Sequence, residues 1–96
     1  MAEYVRAVTF EADDAAIDAL ANEIRSADAP PEGLPSTRIS VLADRAGGRV
    51  IVATRYASEE DRAKGAAILE GMSPPDAGTI RRISVDNYEV VAERQA

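Results

Sequence analysis

The sequence predicts an α+β domain with the element order βαββαβ. Three observations carry this: short strand-like runs rich in β-branched residues, two helical segments with acidic starts, and Gly- or Pro-containing breaks between all of them. Ninety-six residues suit one domain spanning 1–96. A chain of this length buries only about 60 to 65 per cent of its unfolded surface. Its own core is thin, and a partner subunit would add to it.

Tyr4 to Phe10 (YVRAVTF) predicts the first strand, with β-branched and aromatic residues and no Gly or Pro. Asp13 and Asp14 suit a helix start, where orphan N–H groups and the dipole favour carboxylates. Ile17, Leu20, Ile24 and Ala27 then recur at three- and four-residue steps and form one apolar stripe. The breakers from Asp28 to Pro35 end this helix. Thr37–Ala43 predicts a second strand in which Ile39, Val41 and Ala43 alternate with Arg38, Ser40 and Leu42. Asp44 to Gly48 supplies a turn whose paired glycines tolerate positive φ, and Arg49–Tyr56 predicts the returning strand of a hairpin.

Ser58 is placed to cap a second helix from Glu59 to about Glu70, with Asp61 three residues on. Ala63, Ala67, Leu69 and Ile68 are its expected buried residues. Gly65 inside it costs about 1 kcal/mol against Ala unless close packing requires it. Gly71 is placed to end it. Thr79 to about Glu93 predicts a long last strand, interrupted by a bulge or bend at Asp86-Asn87. The two halves share a Pro-Pro, acidic, Gly pattern after each helix (Pro30-Pro31-Glu32-Gly33 and Pro74-Pro75-Asp76-Ala77-Gly78), as expected of shared turn chemistry.

With right-handed crossovers this order gives a ferredoxin-like fold: a four-stranded antiparallel sheet with two helices on one face. Alternation assigns Val5, Ala7 and Thr9, then Ile39, Val41 and Ala43, then Val50, Val52 and Thr54, then Ile83 and Val85 to the helix side. The open face would then carry Tyr4, Arg6, Val8 and Phe10 with Leu42, Ile51, Tyr88 and Val90. No helix remains to cover it, and a large apolar patch left in water is unusual. A homodimer with sheet facing sheet is the simplest cover.

In the order and length of its elements and its long last strand, nearly the whole chain resembles the dimeric α/β-barrel superfamily, which includes the antibiotic biosynthesis monooxygenase family. The resemblance implies sheets paired in a dimeric α/β barrel. It also implies a small organic molecule bound or transformed between sheet and helices, often without a cofactor. A cofactor-independent monooxygenase or isomerase is one function it implies. The alternative is a non-catalytic regulatory ligand-binding domain that is ACT-like, or an interaction domain. Branches of the superfamily that use His or Trp chemistry are a poor match, because both residues are absent here.

Charge and composition narrow the partners. Seventeen acidic and 11 basic residues give a net charge of −6. That disfavours nucleic acid and anionic membrane, which both require a basic face. No Cys and no His remove disulfides, thiol catalysis, a serine hydrolase triad and the commonest metal ligand, so no metal site and no cofactor are expected. The start, Met1-Ala-Glu-Tyr-Val-Arg, lacks the apolar run of a signal peptide, and a cytoplasmic protein is the expectation. Ten of the 11 basic residues are Arg, a bias that fits a GC-rich bacterial genome.

The candidate ligand-binding residues are Arg6, Arg38, Arg55 and Asp86 on the open face, with Tyr4 and Tyr88 as hydrogen-bond donors; Arg38 and Arg55 should lie near each other across the hairpin. Mid-strand arginines require a counter-charge or a wet cavity, and their forks suit carboxylate, enolate or phosphate groups. The competing reading of the same residues is ion pairing with Asp86, Glu89 or a partner subunit's carboxylate. Asp86 could serve as a base if desolvated.

Overall fold

The computed structural model describes residues 2–27, 33–72 and 78–95. The elements are β1 (Glu3–Ala12), α1 (Asp14–Ser26), β2 (Ser36–Asp44), β3 (Arg49–Tyr56), α2 (Glu59–Glu70) and β4 (Ile80–Val90). The paired-proline segments fall on 28–32 and 73–77 and lie outside the described residues. The strands form one antiparallel sheet in the order β2-β3-β1-β4, as the ferredoxin-like arrangement requires. No helix among the described residues is long and apolar enough to cross a membrane.

Each helix starts where its side chains dictate. Asp13 caps α1: its Oδ1 accepts from Ala16 N at 2.9 Å, while its Oδ2 accepts from Thr79 N at 2.9 Å. One carboxylate therefore caps α1 and fixes the entry to β4. Ser58 Oγ accepts from Asp61 N at 3.1 Å at the start of α2. The β2–β3 turn closes on Gly48 at φ 66°, and Arg45 within it donates to Asp14 and Asp18 of α1 at 2.8 and 2.5 Å.

Both helices cover one face of the sheet. Ala16, Ile17 and Leu20 of α1 pack with Ala12 and Val50, and Phe10, Val41, Val52 and Ile80 lie against this cluster. Register shows which residues share that face, because paired residues project to the same side. Phe10 pairs with Val50, Val8 with Val52, Arg6 with Thr54 and Tyr4 with Tyr56. The even-numbered residues of β1 therefore face the helices, against the expectation from alternation. Val5, Ala7 and Thr9 lie on the open face, while Tyr4, Arg6, Val8 and Phe10 lie beneath the helices. β1 is apolar on both parities, so its own pattern does not settle its face. The buried residues Val50, Thr54 and Tyr56 of β3 settle it through the register.

β4 keeps its expected faces at Ser84, Val85, Asp86 and Tyr88 and differs in where it is irregular. Its pairing with β1 shifts between Thr9 and Phe10, leaving Ile83 as the extra residue opposite them, while Val85 to Val90 continue unbroken opposite β1. The irregularity is at Ile83 and not at Asp86-Asn87. It lifts Ile83 off the helix side and leaves it 47% exposed. Arg82 and Ile80 then share the helix face with Val85 and Asn87, and Ser84, Asp86 and Tyr88 share the open face. The strand stops at Val90, short of Glu93.

In α2, Ala63 and Ala67 are exposed, contrary to expectation, and Gly65 is the buried residue. Gly65 lies on Tyr56, which is fully buried; a Cβ at Gly65 would stand 2.5 Å from Tyr56 Cζ. The glycine is thus required by the close approach of helix to sheet. Gly71 ends the helix as expected, in a right-handed conformation.

Gly65→Ala should therefore destabilise the fold by about 2 to 4 kcal/mol, despite Ala's better helix propensity. The Tyr56 hydroxyl is buried with no hydrogen-bond partner among the described residues. Tyr56→Phe should leave stability unchanged or raise it by up to about 1 kcal/mol. Urea unfolding followed by circular dichroism measures both.

Candidate functional site

The six expected site residues divide between the two faces of the sheet. Tyr4 and Arg6 lie on the helix side, while Arg38, Arg55, Asp86 and Tyr88 lie on the open side. The one open face expected to carry all six carries four of them.

Arg6 belongs to the core. Only 4% of the residue is exposed, and its Nη2 donates to Glu70 Oε1 at 2.6 Å. Glu70 closes α2 and also accepts from Arg82 of β4, at 3.1 Å on Oε2 and 2.9 Å on Oε1. This carboxylate ties the end of α2 to β1 and β4. A second link is Arg62 Nη1, which donates to Asn87 Oδ1 at 3.0 Å. The Arg82 fork and then Arg6 hold the Glu70 carboxyl below the usual range. Arg6 is therefore a structural cation, as its ion-pairing alternative predicts, although its partner is Glu70.

The open face reads row by row across the strands β2, β3, β1 and β4. Arg38, Arg55, Val5 and Tyr88 form one row; Ser40, Ala53, Ala7 and Asp86 form the next; Leu42, Ile51, Thr9 and Ser84 form the third. Charges close the far end, where Asp44 pairs in register with Arg49, and Glu11 with both Arg49 and Arg81. Arg81 also bonds Glu11 through its side chain. Asp86 stands in the small-residue row and accepts from Ser84 Oγ at 3.2 Å. It is exposed and meets neither arginine among the described contacts.

At the near end lies a cleft of about 290 Å³ lined by Glu3, Thr37, Arg38, Arg55 and Glu93. Arg55 commands it. Its Nε and Nη2 donate to Glu3 Oε1 and Oε2 at 3.2 and 3.0 Å, and its Nη1 and Nη2 donate to Glu93 Oε1 and Oε2 at 2.7 Å each. The hydrogen bonds to Glu93 and then Glu3 raise the Arg55 pKa, so the guanidinium is a permanent cation. Arg38 makes no hydrogen bond or ion pair among the described residues, but its charge acts on Glu93. The Arg55 hydrogen bonds and charge, and then Arg38, lower the pKa of the Glu93 carboxyl. Glu93 lies beyond the last strand. To reach β3 from β4, the tail must cross the start of β1.

Arg38 and Arg55 meet as alternation predicted. Glu3 was not legible, because it shares the parity of Val5, which alternation assigned to the helix side and the register places beside Arg55. Nor was Glu93, because nothing periodic constrains a residue past the last strand. Among the described residues, no group of three or more acidic side chains is placed to hold a metal ion. Comparison with protein-family models, with curated proteins and with solved structures gives no match.

The Glu70 contacts set a pH dependence. Its pKa is lowered on folding from the ordinary 4.5. It therefore contributes stability that is fully present above about pH 4.5 and lost as pH falls through the folded value. Glu70→Gln should flatten this acid limb and destabilise the protein at neutral pH by leaving Arg6 buried without its anion. The double variant Arg6→Met with Glu70→Leu should be more stable than Glu70→Gln alone. Melting temperature measured against pH checks each step.

Proposed function

We propose that this chain is a homodimeric small-molecule-binding domain of the dimeric α/β-barrel kind, with two open sheet faces covering each other and the Arg38–Arg55 cleft receiving an anionic ligand. The observation that carries this reading is the uncovered face itself. Both helices are spent on the other side, and Leu42 and Tyr88 stand 55% and 56% exposed beside Ile51, Ala53, Val5 and Ala7. Four strands about 4.8 Å apart, each about seven residues long at about 3.3 Å per residue, give a patch roughly 15 Å by 20 Å. That is about 300 Å² of flat area per copy, below the standard size class, so the pairing is a weak one. Its middle is small and mostly apolar, with Asp86 at the β4 edge and the other charges at the two ends, the arrangement of a core with a polar rim.

This face is less apolar than alternation predicted, because Val8 and Phe10 belong to the core and Val5, Ala7 and Thr9 take their places. The expected association is accordingly weak. Small residues in the central rows let two sheets approach closely, while the Arg38–Arg55 end leaves room for a guest.

Sedimentation velocity at tens of micromolar should give a species of twice the 10.2 kDa chain mass. Ile51→Glu in the centre of the face should return it to the mass of one chain without loss of the circular dichroism spectrum. A wild-type species of single-chain mass at that concentration contradicts the proposal.

A further inference from the structure

The tail contact in the cleft has the form of a ligand contact. Glu93 presents its two oxygens to the two terminal nitrogens of Arg55, each at 2.7 Å. This is the fork-to-fork geometry by which guanidinium recognises any carboxylate. The segment carrying it has no strand or helix to hold it: residues 91–95 are irregular and exposed. Glu3 differs, since it sits within β1 and is paired in register with Val90. Of the two carboxylates on Arg55, the strand holds one, and among the described contacts the side-chain pair alone holds the other.

We propose that Glu93 is an internal stand-in for the carboxylate of an aryl or alkyl carboxylic acid, and that this ligand displaces the tail and binds with its acid group on Arg55 and Arg38. The proposal rests on the reading of the cleft as a ligand site and names the ligand class and its gate. The row of the sheet gives the body of the ligand. From Arg55 the next residue across is Val5, and Tyr88 follows, about 5 and about 10 Å away at the usual strand spacing. A carboxylate on the arginines therefore places an attached ring or short chain over Val5 and toward the exposed Tyr88. Arg38 makes no described hydrogen bond or ion pair and supplies the second cation. The cleft of about 290 Å³, lined by Glu3, Thr37, Arg38, Arg55 and Glu93, takes the acid group, and the body of the ligand lies beyond it on the open face. Glu3 stays on Arg55 throughout, so the ligand replaces one anion with another and the local charge balance is kept.

The test uses the full chain, with phenylacetate as the probe and phenylacetamide as its uncharged control, followed by calorimetry and by ¹⁵N-resolved nuclear magnetic resonance. Phenylacetate should bind, shift the amide signals of Val91 to Arg94, and lose most of its affinity in Arg38→Gln, a change at an exposed residue that leaves the fold intact. Phenylacetamide should not bind. An exposed tail pair competes only weakly, so Glu93→Gln should raise the affinity for phenylacetate by about two- to fivefold. If phenylacetate binds equally to the wild type and Glu93→Gln, or binds without moving the tail signals, the stand-in role is overturned and the cleft remains a ligand site. If neither protein binds it, or if Arg38→Gln leaves binding unchanged, the cleft reading is overturned together with the stand-in.

Discussion

The register between β1 and β3 fixes the rest of this molecule. Pairing Phe10 with Val50, Val8 with Val52 and Arg6 with Thr54 commits one parity of the central strand to the helices and the other to the open face. A slip of one residue would exchange every side chain on β1 between the two sides. The helix layer holds the register from above. Ala12 and Phe10 of β1 pack with α1 and Arg6 meets Glu70 of α2, and neither contact survives a shift. The same register places a guanidinium in the core. That charge requires an anion, and Glu70 at the end of α2 supplies it.

What the register spends on the helix side determines what the open side can do. Val8 and Phe10 are withdrawn from it, so the open face is a modest surface of small and medium residues with charges at its ends. Arg55 is left there beside Arg38, with Glu3 built into the strand and Glu93 arriving from beyond the last strand. Arg6 and Arg55 are both mid-strand arginines with carboxylate partners, yet they differ in kind. The Arg6 partner comes from a helix end that also bonds Arg82 and belongs to the core. Half of the Arg55 pairing comes from a segment with no other support among the described contacts.

The order of elements, their bounds to within a few residues, the two helix caps and the pairing of Arg38 with Arg55 were legible in the sequence. These follow from local chemistry and from period. The face of β1 was not legible, because Val5, Ala7 and Thr9 compete closely with Val8 and Phe10 as an apolar set, and only β3 decides between them. The bulge at Ile83 was hidden for a related reason: Asp86-Asn87 has the composition of an irregularity, but both residues fit the regular ladder, with Asn87 receiving Arg62. In α2 the expected apolar residues Ala63 and Ala67 lost to Gly65, whose lack of a side chain is what the packing uses. The ion-pair partners were out of reach, since Glu70 and Glu93 lie 64 and 38 residues from the arginines they meet.

The central claim is that the side of the sheet opposite the helices meets a second copy of itself. The most direct measurement is an isotope-filtered nuclear Overhauser experiment on an equal mixture of labelled and unlabelled chains. Cross-peaks between copies are predicted among the Leu42, Ile51 and Val5 methyl groups, with none at Val50 or Leu20. The absence of any cross-peak between copies at millimolar concentration, with tumbling that fits a single chain, would contradict the account.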